Sequence, residues 1–205
     1  MEFPIEVVTG DSEKLLEIAC FLAKVYRKIN PVSKQLGLTE KDLFESKKPS
    51  CNLPDTSGFI IRNEKGNLLA VLMCTPLKNM VELSKIPSPP TFVTFDKVAE
   101  QCPIPQFLYE HKTMFLFGLG KLPNEEGGIS GVGLPLCRKA IEFAKEAGFD
   151  YCCACLSSEA SQNIFLNKLN FSVHCEIAYS QSNVPELVNF PGDYIVVYKY
   201  ICNDH

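Results

Sequence analysis

The run Gly127-Gly128-Ile129-Ser130-Gly131-Val132-Gly133 is the segment of this chain best suited to chemistry. Glycines let backbone N–H groups come close to an anion, and the first turn of a following helix adds unpaired donors and the positive end of its dipole. Together these bind phosphate through the backbone. Three known designs of this kind do not fit. No Gly-Lys-Ser/Thr follows, so it is not a Walker loop; Leu136 stands where the dinucleotide fingerprint needs a third small residue; and Val132 stands where a hydrolase elbow around Ser130 needs glycine. Ser130, Asp150 and His174 do occur in hydrolase order, but the span is too short for that fold's intervening strands, so a Ser130 hydrolase is the weaker reading.

Cys152, Cys153 and Cys155, with His174 and Cys175 beyond, form a C-x-x-C plus His/Cys set that must be weighed as a zinc site. Residues 149–156 read as a buried strand, in which positions three apart point to opposite faces, so Cys152 and Cys155 cannot share an ion. No metal is expected. The ten cysteines of the chain are read as thiols acting as small hydrophobes in a reducing, cytoplasmic compartment, because residues 1–10 show no signal-peptide pattern. His174 is read as a core histidine and His205 as a tail residue. Glu110 and His111 read as a solvated pair able to deliver a base through water.

The glycine run needs a strand before it and a helix after it, and the chain supplies both. Residues 113–119 are strongly apolar and read as a central strand. A helix follows over 132–147, with Pro135 in the first turn, where no donor is missed, and Gly148 at its end. Upstream, Leu15, Ile18, Leu22, Val25 and Ile29 recur at helical spacing and predict a helix over 12–28, stopped by Asn30-Pro31. Thr39 and Asp42 resemble a capping box opening a second helix. Residues 59–62 and 68–75 flank a turn-rich segment and predict a hairpin. Pro87, Pro89 and Pro90 mark a loop, and 96–102 a short helix. A strand at 149–156, a helix at 158–169 and strands at 171–179 and 194–201 complete the chain.

With 205 residues, 46% apolar and 21% charged, one packed domain over 1–205 is expected. Net charge is −4 with scattered basic residues, which disfavours a nucleic-acid groove. The longest apolar run, 68–74, is too short to span a membrane.

This order of elements resembles the GNAT acetyltransferase superfamily, whose acyl-CoA motif Q/R-x-x-G-x-G/A reads here as Gly128-Ile129-Ser130-Gly131-Val132-Gly133. Residues 161–171, which include Asn163 and end in Lys168-Leu169-Asn170-Phe171, look like the family's second segment, with Asn170 replacing a glycine at a left-handed helix end. Ile29-Asn30-Pro31-Val32 and Leu36-Gly37-Leu38 look like the arylalkylamine N-acetyltransferase branch. The resemblance implies an α/β (α+β) fold, a single mixed and mostly antiparallel sheet flanked by helices and splayed between its fourth and fifth strands. It implies acetyl-CoA as cosubstrate and a small amine as acceptor, in a monomer or homodimer. The pantetheine arm would lie between Leu119, Gly120, Lys121 and Leu122 on one side and 155–157 on the other, with the pyrophosphate on Gly127 to Gly133.

Several positions depart from the family pattern. Gly128 stands where Gln or Arg is usual, so Gly128→Arg is expected to tighten CoA binding. Asn30 stands where arylalkylamine enzymes carry a glutamate base, and neutral Asn takes no proton from an ammonium. Leu166 stands where many members carry a tyrosine acid. Ser158 and Ser161 resemble serines proposed to replace that tyrosine, though capping is their plainer role. Tyr26, Asn30, Tyr179 and Tyr194 are the candidate acceptor-binding residues. With neither proton-transfer position filled as in the family, a CoA-binding paralogue without turnover is the rival reading.

Overall fold

The computed structural model describes residues 3–86 and 93–202. The Pro87, Pro89 and Pro90 loop and His205 lie outside the described residues. The chain begins with β1 (Glu6–Thr9), α1 (Ser12–Ile29), α2 (Pro31–Gln35), α3 (Glu40–Lys47), β2 (Ser57–Arg62) and β3 (Leu68–Pro76). It continues with α4 (Lys78–Leu83), α5 (Val93–Gln101), α6 (Gln106–Glu110), β4 (Thr113–Lys121), α7 (Gly133–Glu146) and β5 (Tyr151–Leu156). α8 (Glu159–Gln162), β6 (Ser172–Ala178) and β7 (Asp193–Tyr200) close it.

Local chemistry explains the boundaries. Asp11 caps α1 by accepting from the Lys14 N–H at 3.1 Å. Asn30 leaves the helix at φ −73°, ψ 118° and Pro31 starts α2. Thr39 and Asp42 form the expected capping box of α3. Gly148, at φ +75°, and Asn170, at φ +55°, take the left-handed conformations that end their helices. The predicted helix over 158–169 is only part α-helical: α8 passes directly into a π-helical stretch, Asn163–Lys168. The sequence pattern left out β1, whose four residues are too few for alternation to register, and the short α2, α4 and α6.

The strands form one sheet in the order β1-β2-β3-β4-β5-β7-β6, with every pairing antiparallel except β4–β5. Side-chain alternation builds a core on each face. On one face Leu136, Cys137 and Ala140 of α7 pack with Phe59, Leu72, Leu116, Cys152 and Ile195. On the other, Leu15, Ile18 and Leu22 of α1 pack on Ile60, Val71 and Met73, and Val98 of α5 packs near Tyr194 and Val196. Among the described residues no helix is long and apolar enough to cross a membrane.

Two features of β4 open this sheet. Between Val71 and Met73 the β3–β4 register slips, so Gly120 and Phe117 are the partners on either side of a bulge at Gly118, which takes φ +65°. Glycine is required twice here because Leu22 of α1 lies on the strand: a Cβ on Gly118 or on Gly120 would stand 2.8 Å from its side chain. Pairing with β5 ends at Leu116–Ala154, although β4 runs on to Lys121 and β5 to Leu156. The strands therefore separate where the resemblance implies a splay.

Three expectations are corrected. Cys102 and Cys175 are joined as a disulfide, with Cα atoms 5.6 Å apart, because the residue after α5 lies against β6; Cys20, Cys51, Cys74, Cys137, Cys152, Cys153 and Cys155 are free thiols. His174 is an exposed residue on the edge strand, at a register slip between Val173 and Cys175 that turns it out of the ladder, so it is no core histidine. Gly128 is not a lost phosphate contact. A Cβ there would overlap the Leu122 carbonyl and stand 2.7 Å from the Pro123 oxygen, so the backbone excludes every side chain.

Candidate active site

The glycine run lies between β4 and α7. The Gly128 N–H donates to the Pro123 carbonyl at 2.9 Å, and Gly127, at φ +84°, makes the turn. From there the chain makes a turn over Ser130 and Gly131, and the backbone N–H groups of Ile129, Ser130, Gly131 and Gly133 have no protein acceptor among the described residues. Gly131, at φ +81°, has open space where a Cβ would sit. Unpaired donors beside the left-handed Gly131, at the head of a fourteen-residue helix, suit an anion, since the donors and the helix dipole act in the same direction. Gly133 admits close packing: its missing Cβ would stand 2.8 Å from Ile164 Cδ1 and 3.7 Å from Leu119 Cδ2. Loop, bulged strand and π-helical stretch thus meet at one point.

A cleft of about 520 Å³ lies in the splay, lined by residues 116–119 of β4 and by 154–157 at the end of β5. Tyr26, Asn30, Phe117, Leu119, Cys155, Ser157, Ser158 and Ser161 line it, with Tyr179 and Asp193 at the β6–β7 side. Of the strand residues expected to flank the pantetheine, Leu119 lines the cleft, while Gly120 faces Leu22, Lys121 donates to Asn124 Oδ1 at 2.9 Å and the Leu122 N–H is paired with the Leu69 carbonyl. Asn163 is exposed and accepts from the Asn167 amide at 3.1 Å.

Most polar side chains in the cleft already have partners. The Tyr26 hydroxyl donates to the Leu119 carbonyl at 3.1 Å. Asn30 Oδ1 accepts from the Ser33 N–H at 2.8 Å, capping α2, while its amide donates to Ser157 Oγ at 3.4 Å. Ser158 caps α8 through the Ser161 N–H at 3.3 Å, and the two hydroxyls lie 3.0 Å apart. Ser161 donates to the Ser158 carbonyl at 2.7 Å. Tyr194 does not line the cleft: it is 3% exposed, facing Phe95 at 5.7 Å between ring centroids. Burial pushes the Cys155 thiol up to about 11, against the opposing effect of the Tyr194 hydroxyl bonded to it, so Cys155 is a neutral wall residue near pH 7.

The remaining candidates lie apart. Glu110 and His111 stand at the start of β4, roughly 16 Å of strand from the bulge at Gly118. Ser130 Oγ meets the Asn124 amide at 3.3 Å, Asp150 accepts from the Lys112 N–H at 3.2 Å, and His174 is on the far edge, so no triad forms. Cys152 packs under α7 while Cys155 faces the opposite layer, as the strand geometry requires. Ser157 lines the cleft within the 155–157 segment that the resemblance placed there, whereas residue-type reasoning missed Asp193; the continuation of the β5–β7 register past Leu156–Ile195 is the signal that finds it.

No family model and no curated protein sequence matches the chain. Solved structures do. Arylalkylamine N-acetyltransferase 2 from Aedes aegypti superposes with a TM-score of 0.69 at 18% identity, covering 96% of this chain and 99% of that one. Drosophila melanogaster polyamine N-acetyltransferase, which catalyses the formation of N-acetylagmatine, gives 0.67 at 14%, covering 96% and 100%. The C-terminal condensation domain of Ebony, in complex with beta-alanyl-dopamine, gives 0.69 at 14%, covering 98% and 100%. At these identities the likeness is one of fold, and the fold is that of the GNAT N-acetyltransferases.

Proposed function

We propose that this GNAT-fold chain binds acetyl-CoA, or a related acyl-CoA, and transfers the acyl group to a small amine, with arylalkylamines the first class to test. The observation that carries the reading is the set of unpaired N–H groups of Ile129, Ser130, Gly131 and Gly133 at the head of α7, beside a cleft that opens where β4 and β5 part. The run suits a pyrophosphate and the cleft suits the arm leading away from it. Bound acyl-CoA supplies an activated thioester. The chain's part is then to place the amine against the carbonyl, exclude water and remove one proton. Leu119, Phe117 and Leu156 give apolar walls for the first two tasks. Free thiols at Cys20, Cys51, Cys74, Cys137, Cys152, Cys153 and Cys155 fit a reducing compartment such as the cytoplasm, with the Cys102–Cys175 bond as the exception.

One observation favours a second reading, an acyl-CoA-binding protein without turnover. Asn30, Ser158 and Ser161 are held in helix caps, and Leu166 has no proton to give. The fold alone does not decide, since sites and not folds set the chemistry. Thiol release measured with acetyl-CoA across a panel of arylalkylamines and polyamines separates the two. Release that depends on the amine supports transfer; acetyl-CoA binding with no release for any amine supports the second reading.

A further inference from the structure

The Tyr179 side chain is 1% exposed, and its hydroxyl is a buried polar atom with no partner among the described residues. A buried hydroxyl without a partner is costly and rare in a native protein. This one belongs to a residue that lines the cleft. Its neighbours fix it there: the Tyr179 N–H donates to the Gly192 carbonyl at 3.0 Å, and its ring meets Phe190 edge-on with centroids 5.5 Å apart.

Asp193 lines the same cleft. It pairs with Ala178, the residue before Tyr179, and the β5–β7 register continued two places past Leu156–Ile195 sets it across from Ser158, at the mouth of the splay. Gln162 fixes its backbone by donating to the Asp193 carbonyl at 3.1 Å. Its carboxylate has no ion pair or hydrogen bond among the described residues. The titratable groups facing the cleft are Glu159 of α8, Tyr26 of α1, Cys155 of β5, Tyr179 and Asp193; no Lys, Arg or His lines it. Its acidic residues, Glu159 and Asp193, thus face no basic side chain in the lining, and the cleft suits a cation.

We propose that the Tyr179 hydroxyl oxygen and the Asp193 carboxylate receive the acceptor's ammonium group, and that Asp193 takes its proton, so that the substrates are primary amines without a carboxylate of their own. This rests on the acyl-transfer reading above. The ammonium N–H bond breaks and its proton goes to Asp193. The freed lone pair bonds to the thioester carbonyl carbon, the C–S bond breaks, and a second N–H bond breaks as the amide forms, its proton going to the leaving thiolate, so that ammonium and acyl-CoA give amide, CoA thiol and, from Asp193, one released proton. Asp193 performs the task that Asn30, engaged as a cap, does not.

The test uses phenethylamine and phenylalanine, which differ by one carboxylate, titrated calorimetrically into the protein saturated with CoA, where no turnover occurs. Phenethylamine is expected to bind at least about tenfold more tightly than phenylalanine, and Asp193→Asn to weaken phenethylamine by at least about tenfold. Tyr179→Phe is expected to weaken it severalfold without lowering Tm, since it removes an unpartnered polar atom. With acetyl-CoA, kcat/KM of Asp193→Asn should fall about 10²-fold or more at pH 7 and approach the unsubstituted protein as pH nears about 10, where free amine is plentiful. Phenethylamine binding unchanged in both variants, or equal binding of phenylalanine, overturns the proposal. Absence of acetyl-CoA binding overturns the acyl-transfer reading instead, and CoA binding without any amine binding overturns this inference alone.

Discussion

The Tyr26 hydroxyl donates to the Leu119 carbonyl across 3.1 Å, tying the last turns of α1 to the point where β4 leaves its ladder with β3. Burial keeps this phenol protonated well above the usual tyrosine range, so it remains a donor at every physiological pH. The bulge is thus held by a side chain as well as by the glycines beneath Leu22.

Tyr26→Phe should lower stability by about 1 kcal/mol, the size of a net hydrogen bond at a partly buried carbonyl. It should also weaken acetyl-CoA binding, because the strand that walls the cleft loses its tie. Urea unfolding and calorimetry on the same preparation check both effects.

Gly128→Arg should not tighten CoA binding, as a missing phosphate ligand would predict. A Cβ at this position overlaps the Leu122 carbonyl, so Gly128→Ala and Gly128→Arg should each destabilise by more than about 2 kcal/mol and weaken acetyl-CoA binding alike. If Gly128→Arg folds normally and binds more tightly, the loop conformation described above is wrong.

Asn30→Ala should cost about 1 kcal/mol from the lost cap on Ser33, whereas Asn30→Asp, whose carboxylate accepts the same N–H, should cost less than half of that. Acetyl-CoA affinity should change little in either. Denaturation midpoints compared with calorimetric titrations would show it.

Burial pushes the Cys51 and Cys155 thiols up to about 11 and those of Cys74 and Cys137 up to about 12. Below the unfolded thiol value near 9 both states are neutral and these residues add no pH dependence. Between about 9 and 12 the unfolded chain ionises first, so this stabilisation is lost as pH rises. Exposed Cys20 should be alkylated first at pH 8, with the buried thiols modified only under denaturant, as mass spectrometry of iodoacetamide-treated protein would show.

Where a signal is local, the sequence carries it. The Thr39–Asp42 box, the Asn30-Pro31 break, Gly148 and Asn170 all act through their own or adjacent backbone, and each appears where its residue type requires. The order of the longer elements was legible from their periodicity and turn residues, and the splay was implied by the family resemblance that the glycine run carries. What escaped depends on distant partners. The Gly128 backbone contact needs Leu122 folded over it, the Cys102–Cys175 bond needs α5 against β6, and Asp193 enters the cleft only through its register with β5. Tyr179 could be named as a candidate from its type, but the lack of a partner for its hydroxyl is visible only in the fold.

Calorimetric titration of acetyl-CoA into the protein and its Gly131→Val variant tests the central claim most directly. The left-handed backbone at Gly131 makes the substitution cost about 1–2 kcal/mol, while the open space there means that the side chain meets no neighbour and occupies the anion site instead. The account predicts saturable binding to the unsubstituted protein and none to the folded variant. No binding to the unsubstituted protein, or equal affinity in the two, would contradict it.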